Sequence, residues 1–265
     1  MRLLVTGASG RMATAMRPLL LDDPDIRLVL AGRSNIATND PRETSLAFDL
    51  VDADATRAAV EAVDAVLHLG GQATEASFDT VLEANIRGTY NVFEAVRRGG
   101  LGQRVIFASS YHAMGFHARG DMLDGDSPYR PDTFYGLSKA YGELLARLYW
   151  DKFGVESLSV RIGSCFEEPR DRRMLATWLS HADMVRLVHA ALNAPVLRAA
   201  MVYGVSNNTE RWWTNEHARF LGWAPQDSSE AWRARFADAE RPERGTALAL
   251  FQGGAFAECK HPNDD

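Results

Sequence analysis

The chain begins with a short apolar segment followed directly by a glycine-rich turn, and this pairing restricts the folds open to it. Residues 3–5 are Leu-Leu-Val, typical of a buried strand, and Thr6 then opens the sequence TGASGRMA. Apolar residues continue at helical spacing as far as Leu20. Gly7 permits a tight turn, and Gly10 lets the backbone approach a phosphate at the N-terminus of the next helix. The segment therefore predicts a strand, turn and helix that bind a dinucleotide pyrophosphate, although a plain strand-to-helix turn has the same glycines.

Strand-like and helix-like segments alternate along the rest of the chain, with no repeat or linker. We predict further strands at 26–31, 46–48, 65–69, 104–108, 157–162 and 201–203, and helices at 52–62, 78–98, 135–153 and 181–193. This alternation predicts an α/β fold with a doubly wound parallel sheet of the Rossmann type. We expect residues 1–163 to form the dinucleotide-binding core. Residues 164–265 should form a smaller substrate-binding segment, packed on the core as one structural unit, with a short C-terminal lobe over the site.

A tyrosine and a lysine stand one turn apart at the start of the helix predicted at 135–153. At about 100° per residue, Tyr135 and Lys139 share one face, and the opposite face, which we expect to pack on the core, carries Leu137, Tyr141, Leu144, Leu145 and Leu148. Asp132 and Thr133, just upstream, are candidate N-cap residues. An ammonium one turn away and the helix N-terminus both favour a phenolate. The pair is a candidate general acid/base, and the alternative is a Tyr and a Lys on a solvated face.

The ends of the predicted strands carry residues suited to a cofactor. After the second strand stand Gly32 and Arg33, without the carboxylate that would bind the ribose 2′-hydroxyl of NAD. This favours tolerance of NADP, unless Arg33 is only a solvated loop residue. Asp49 ends the third strand, where it could reach the adenine amino group. Gly70 and Gly71 end the fourth and fit a close approach to the cofactor, or an ordinary turn.

Two further polar residues stand where local propensity does not explain them. Asn85 and Gly88 lie inside a predicted helix, where each costs up to about 1 kcal/mol. We expect a tertiary role for Asn85, bridging the backbone and a water near Lys139. Ser110 ends the fifth strand and could donate to a substrate oxygen, although Ser is also a common turn residue.

Charge and cysteine content exclude several classes of function. The net charge of −6 and pI of about 5.7 argue against a nucleic-acid or anionic-membrane surface. Cys165 and Cys259 show neither metal-ligand nor disulfide-framework spacing, which indicates reduced thiols, though a single disulfide between them stays open. With no signal-like segment and no apolar run of membrane-spanning length, we expect a cytoplasmic protein.

The motifs occur together and in a recognisable order. They are Thr6-Gly-x-x-Gly10-x-x-Ala13, Asp49-Leu50, Asn85-x-x-Gly88, Ser110 and Tyr135-Gly-x-Ser138-Lys139. Together they resemble the extended short-chain dehydrogenase/reductase family. Over nearly the full chain, a second set resembles the uronate dehydrogenases: Phe107-Ala-Ser-Ser110-x-His112, Arg161-Ile-Gly-Ser-Cys165, Arg173-Met-Leu-x-Thr-Trp178, Val202-Tyr-Gly204, Trp212-Trp213, Phe220-Leu-Gly-Trp223 and Gln252-Gly-Gly254.

The resemblance implies a role for each matching residue. Tyr135 would be the general base, Lys139 would lower its pKa and hold the nicotinamide ribose, and Ser110 would orient the reacting hydroxyl. The implied NAD site comprises Gly7, Ser9, Gly10, Arg11, Met12, Gly32, Arg33, Asp49, Leu50, Leu69, Gly70, Gly71, Asn85, Ala108, Tyr135, Lys139 and Ile162. The implied sugar pocket comprises Ala73, Thr74, Ser110, Tyr111, His112, Tyr135, Ser164 and Arg173. No metal is expected.

Three positions depart from the family pattern. Tyr111 stands where the family usually has Asn beside the catalytic Ser, so one substrate hydrogen bond is missing or rearranged. Ala73 stands where the family usually has Ser, and only Thr74 could replace that hydroxyl. Gly32 replaces the usual acidic residue, which leaves the choice between NAD and NADP open.

The reaction implied by the resemblance is oxidation of a hexuronic acid at C1 to an aldarolactone, with hydride transfer to the nicotinamide. The substrate carboxylate needs a cation, and Arg173 can bind it through two parallel hydrogen bonds. Spacing alone equally allows a solvated Arg173 beside Arg170 and Arg172. The preference between glucuronate and galacturonate is open.

Two other functions fit parts of the sequence. A nucleotide-sugar epimerase or dehydratase uses the same Ser, Tyr and Lys, but it usually has a larger C-terminal domain than residues 164–265 provide. A non-catalytic NAD(P)-sensing protein would typically lack the Tyr or the Lys. The superfamily resemblance also implies a homo-oligomer, paired through the helices at 78–98 and 135–153.

Overall fold

A parallel sheet of seven strands forms the centre of the molecule. The computed structural model describes residues 1–99, 102–239, 242–262 and 264. The strands are β1 (Arg2–Thr6), β2 (Arg27–Gly32), β3 (Glu43–Ala47), β4 (Ala65–His68), β5 (Arg104–Ser110), β6 (Ser157–Ile162) and β9 (Ala199–Gly204). Their order is β3-β2-β1-β4-β5-β6-β9, and every pairing is parallel. The order reverses between β1 and β4, where the carboxyl ends of the strands open a crevice. The predicted doubly wound sheet is confirmed.

Helices cover both faces of the sheet. They are α1 (Arg11–Leu20), α2 (Ala53–Glu61), α3 (Phe78–Val81), α4 (Gly88–Gly99), α5 (Phe134–Phe153), α6 (Met174–Thr177), α7 (His181–Asn193) and α8 (Ala247–Leu250). One apolar cluster joins α1 and α7 to one face, with Met16 and Val188 fully buried. A second joins α2, α4 and α5 to the other face, with Val60 and Phe93 fully buried. Burial on both faces explains the continuous apolar runs of the strands.

The part of the chain after residue 163 contributes to the central sheet as well as to the C-terminal lobe. Strand β9 pairs with β6, and α7 packs on the same layer as α1. The predicted bounds of β6 and α7 agree with the structure. A small two-stranded sheet, β7 (Ser164–Cys165) with β8 (Trp178–Leu179), has no counterpart in the prediction. Strands of two residues carry no periodic signal, so the sequence could not reveal them.

The predicted helix over 78–98 is interrupted. Between α3 and α4 lies a π-helical segment, Leu82–Arg87, which contains the buried Asn85. Wide turns of this kind are frequently found at functional sites. The sequence places Asn85 and Gly88, two poor helix formers, at the point where the α-helix gives way to this wide turn.

Helix α5 presents the opposite face to the core from the one expected. Leu137, Leu144 and Leu148 are 49%, 56% and 47% exposed, whereas Tyr135 and Lys139 are buried. A Cβ at Gly142 would collide with the Phe107 ring, so small residues let the helix lie directly on the sheet. The prediction that the leucines face the core is therefore wrong for Leu137, Leu144 and Leu148, whereas Leu145 is buried in the second apolar cluster.

The two cysteines are free thiols, with Cys165 buried and Cys259 exposed, as the sequence indicated. Within the described ranges, none of the helices has the length and apolar character needed to cross a bilayer.

Candidate active site

Two glycine turns meet at the crevice and form a close-packed cradle. Gly7 has a positive φ of 64°, and a Cβ there would lie 2.8 Å from the Gly70 Cα. A Cβ at Gly70 would lie 2.6 Å from Leu50 Cδ1, and one at Gly71 would lie 2.6 Å from Asn85 Oδ1. Gly7 and Gly71 combine a positive φ with close contacts and therefore favour glycine, and a Cβ at Gly70 would displace the end of the Leu50 side chain. The predicted cofactor residues at 7, 50, 70, 71 and 85 are thus brought together.

The start of α1 faces this cradle without a side-chain cap. Gly10 is the N-cap residue, makes no side-chain hydrogen bond, and donates its N–H to Gly7 O over 2.9 Å. Ser9, Gly10 and Arg11 are exposed, and Met12 is partly buried. Uncapped N–H groups and the positive end of the helix fit a pyrophosphate.

A buried histidine ties the two turns together. His68 contacts Thr6 Oγ1 through Nδ1 at 2.8 Å and Thr89 Oγ1 through Nε2 at 3.1 Å, while Gly70 N donates to Thr6 Oγ1. Burial, and secondarily the Lys139 charge, lowers the pKa of His68 to about 3. His68 is therefore a neutral structural residue that fixes the position of the cradle.

The adenosine end of the predicted site lies at the carboxyl ends of β2 and β3. Gly32 pairs in register with Ala47, which places Arg33 and Asp49 near the same edge of the sheet, both exposed. Asp49 Oδ1 accepts from Val51 N at 3.2 Å. A cation and a carboxylate thus both border this end of the site.

Asn85 holds the loop after the second glycine turn. Its Oδ1 accepts from Gln72 N at 2.7 Å, and its Nδ2 donates to Gln72 O and to Ser138 Oγ. The expected bridge to the backbone is present, but it leads to Ser138 on α5. On the same loop, Ala73 and Thr74 are exposed, and Thr74 Oγ1 accepts from the Gln72 side chain.

Ser110, Tyr135 and Lys139 converge beside this loop, and all three are buried. Burial raises the pKa of Tyr135 to about 12, although a hydrogen bond with Ser110 opposes the shift. Burial also lowers the pKa of Lys139 to about 8. Lys139 Nζ donates to Ala108 O at 2.8 Å and lies 5.5 Å from the centre of the Tyr135 ring. The lowered tyrosine pKa expected from the sequence is therefore wrong for this arrangement, because desolvation of the phenolate dominates.

Two acidic residues that the sequence did not single out support this group. Glu75 accepts from the N–H groups of Phe134 and Tyr135, and Thr133 caps Gly136 N. The N-terminus of α5 is thus capped by a carboxylate from sixty residues earlier. This negative cap offsets the positive helix end that was expected to favour the phenolate.

Glu143 is the second of these residues, and it lies one turn beyond Lys139. Its carboxylate accepts from Ser109 Oγ, from Tyr129 Oη at 3.0 Å and from Arg161 Nη2 at 2.9 Å. Arg161 and Glu143 are both almost fully buried. The network ties α5 to the ends of β5 and β6, and so fixes the strand that carries Ser110.

Tyr111, His112 and Arg173 form a second polar group next to Ser110. Arg173 Nη1 donates to Tyr111 Oη at 3.2 Å, and its Nη2 donates to Gln252 O. The rings of Tyr111 and His112 are 4.2 Å apart, and the His112 ring is 5.8 Å from that of Tyr135. Arg173 is thus directed into the group by contacts, and is not the solvated loop residue that spacing allowed.

An aromatic residue of the C-terminal segment packs against this group. The Phe256 ring stacks on His112 at 4.0 Å and lies 6.2 Å from the Tyr135 ring. The sequence had favoured a core role for most aromatic residues of the lobe, which fits the buried Trp213 but not the half-buried Phe256. Ser164, on β7, is buried and hydrogen-bonded to Thr177 Oγ1 at 2.9 Å. Ile162, at the end of β6, pairs in register with Ser110.

The sheet, the glycine cradle and the buried Ser-Tyr-Lys group define a dinucleotide-dependent oxidoreductase of the short-chain dehydrogenase/reductase class. The model of the NAD dependent epimerase/dehydratase family matches residues 3–199. A uronate dehydrogenase from Agrobacterium fabrum is 46% identical over 258 residues, which cover 97% of each chain. The chain therefore belongs to the NAD-dependent epimerase/dehydratase family and, within it, to the uronate dehydrogenases.

Solved structures agree with this assignment. Glucuronic acid dehydrogenase from Chromohalobacter salexigens superposes with a TM-score of 0.96 at 44% identity, covering 100% of this chain and 99% of the other. A tyrosine variant of uronate dehydrogenase from Agrobacterium tumefaciens, complexed with NAD, gives a TM-score of 0.93 at 45% identity and 98% coverage of both chains.

Proposed function

We propose that the protein oxidises the C1 hydroxyl of a hexuronic acid, glucuronate or galacturonate, to the aldarolactone with NAD. The C1 hydroxyl gives its proton to Tyr135, and C1 gives up a hydride, which leaves a lactone carbonyl. The proposal rests on one observation. Ser110, Tyr135 and Lys139 lie close together and next to the polar group formed by Tyr111, His112 and Arg173.

Four side chains, those of Ser110, Tyr135, Lys139 and Arg173, each have a defined part in this reaction. Ser110 donates a hydrogen bond that orients the reacting hydroxyl, and Tyr135 accepts its proton. Lys139 holds the nicotinamide ribose, and its positive charge favours ionisation of Tyr135 once the two approach. Arg173 binds the C6 carboxylate. Among the described residues, Tyr111 and Gln252 use two of its five N–H groups.

The cofactor site consists of the glycine cradle, the start of α1 and the edge formed by β2 and β3. NAD, when bound, supplies the acceptor for the hydride. Residues 164–265 supply Arg173 and Phe256, which cover the sugar, so this segment acts as the substrate-binding part. The free thiols support a cytoplasmic location.

The direct test is a steady-state assay of both uronates with NAD and with NADP. We expect net formation of reduced cofactor, measured by its absorbance, and an aldarolactone identified by mass spectrometry. An epimerase or a sensing protein would give no net reduction, and that result would reject the proposal.

The cofactor preference should depend on Gly32. Its backbone φ is not in the left-handed region, and a Cβ there would lie 3.1 Å from the flexible end of Ile36 and 3.5 Å from Ser34 O, an ordinary van der Waals distance. We therefore expect Gly32→Asp to fold, and to weaken NADP binding at least about tenfold by repelling the 2′-phosphate, while NAD binding is kept or improved. Gly32→Ala is the matched control, since it adds the same Cβ without charge. Equal effects of the two substitutions on NADP would contradict the assignment.

The exposed apolar face of α4 and α5 supports a homo-oligomer. Leu137, Leu144, Leu148, Tyr90 and Phe153 are each at least 40% exposed. A second copy placed on this face would bury them. We expect light scattering to show an oligomer and Leu144→Glu to shift it towards the monomer. Leu250→Glu, at a similarly exposed leucine on α8, should leave the mass unchanged. A monomeric wild-type protein would refute this assembly.

A further inference from the structure

A buried histidine and carboxylate form a pair at the edge of the site. His112 Nδ1 lies 2.7 Å from Asp132 Oδ2, and their side chains are 7% and 0% exposed. The second carboxylate oxygen, Oδ1, accepts from the Thr133 hydroxyl at 2.9 Å. Asp132 was a candidate helix cap in the sequence, but the cap of α5 is Thr133. Its carboxylate is directed to the histidine instead.

Three glycines from separate parts of the chain make room for this carboxylate. A Cβ at Gly115 or Gly253 would collide with Oδ2 of Asp132, and a Cβ at Gly136 would collide with His112 O and lie 3.0 Å from Oδ1 of Asp132. Gly253 N also donates to Gly115 O at 2.7 Å, which closes the space. The backbone at Gly115 and Gly253 thus lies directly against the Asp132 carboxylate, and the backbone at Gly136 lies against both His112 and Asp132.

The pair determines which ring nitrogen of His112 carries the proton. A carboxylate can only accept, so Nδ1 must donate to it, and in the neutral ring Nε2 is then an acceptor. Burial lowers the pKa of His112 despite the opposing effect of Asp132, so the ring is neutral. Among the described residues, Nε2 has no hydrogen-bond partner.

His112 lies next to the two residues that would contact the reacting hydroxyl. Its backbone N–H donates to Ser110 Oγ at 3.2 Å, and its ring lies near that of Tyr135. Contacts with Tyr111 and Phe256 restrain the plane of the ring. His112 thus borders both residues that would hold the reacting C1 hydroxyl.

We propose that Asp132 is a positioning residue that fixes the tautomer of His112, so that Nε2 accepts a hydrogen bond from a secondary hydroxyl of the sugar. This role rests on the proposed function. It requires a substrate with a second hydroxyl group on its ring, in addition to the reacting hydroxyl and the carboxylate. Asp132 acts only through the histidine.

The tautomer is measured directly by nitrogen-15 NMR of the full-length wild-type protein, with the His112 signals assigned from their loss in His112→Leu. We expect the Nδ1–H form in the wild type. Observation of the Nε2–H form would overturn the proposal, and this measurement needs no Asp132 variant to fold.

Kinetics of Asp132→Asn give the second test. An amide can donate to Nδ1 and turn Nε2 into a donor, so we expect KM for the uronate to rise about tenfold, with a smaller change in kcat and in NAD binding. Asp151→Asn, at an exposed position on α5, is the control. In a His112→Leu background, Asp132→Asn should raise KM no further. A folded Asp132→Asn with wild-type KM would overturn the proposal, whereas a wild-type protein without turnover defeats the proposed function itself.

Discussion

Substitution of Tyr135 by phenylalanine is expected to lower kcat about a thousandfold, the largest effect of any single change considered for this protein. The change removes only the hydroxyl that accepts the proton of the reacting C1 hydroxyl, and positioned acid/base groups contribute about 10²- to 10⁴-fold to rate. The ring remains, so the contacts of Tyr135 with His112 and Phe256 are kept. NAD binding should change by less than a few-fold.

Tyr141→Phe is the matched control, because Tyr141 lies on the same helix and is half-buried away from the site. It should have wild-type kcat. If Tyr135→Phe kept more than about a tenth of the wild-type kcat, proton transfer would have to occur at another group.

The raised pKa of Tyr135 also predicts how kcat/KM depends on pH. Its pKa is raised to about 12, so below that value each pH unit increases the phenolate fraction about tenfold. The parameter kcat/KM reports groups of the free enzyme. It should therefore rise with pH through the neutral range, and then less steeply above about 8, where Lys139 loses its charge. Tyr135→Phe should lack this rise, and a flat wild-type profile would contradict the assigned base.

Substitution of Arg173 by lysine is expected to raise KM for uronates roughly 10- to 100-fold. Lysine keeps the positive charge but cannot form two parallel hydrogen bonds with a carboxylate. Lysine also cannot reproduce the paired contacts to Tyr111 and Gln252 that direct the guanidinium. Hydrogen bonds to charged groups contribute about 1.5–3 kcal/mol, which corresponds to this range.

Arg172→Lys is the control, because Arg172 lies on the same loop but pairs with Glu210 at 3.9 Å, at the surface. It should leave KM unchanged, and neither substitution should change the dissociation constant for NAD. A wild-type KM in Arg173→Lys would mean that the carboxylate binds elsewhere.

The sheet and the cradle could be predicted because they depend on local patterns. Buried parallel strands are short apolar runs, and Gly7, Gly70 and Gly71 stand directly after such runs. Gly7 and Gly71 have a positive φ, and Gly7 also lies against the Gly70 backbone, so the need for glycine can be recognised at a single position of the sequence. The order of the motifs along the chain also predicted that Ser110, Tyr135 and Lys139 act together, and these three side chains are close in the structure.

The face of α5 could not be predicted, because an apolar helix face has the same sequence signal whether it packs on its own sheet or on another molecule. Leu144 is exposed, while Gly142 lies against Phe107. The helix packs through its small residues, which a hydrophobic periodicity does not register.

The polar contacts between distant parts of the chain could not be predicted from the sequence either. Glu75 reaches Tyr135 across sixty positions, and Asp132 reaches His112 across twenty. A carboxylate in a loop has no pattern that names its partner. The pKa of Tyr135 was misjudged for the same reason, since burial depends on packing from distant segments.

The wide turn around Asn85 has a consequence for how this region loses its order. Within this turn, Asn85 is hydrogen-bonded both to Gln72 and to Ser138. Gln72 lies in the loop that leads from the glycine turn to Glu75, and Glu75 in turn caps α5. Release of one contact should therefore loosen the others, so that this loop, the wide turn and the first turn of α5 melt cooperatively, as a single unit.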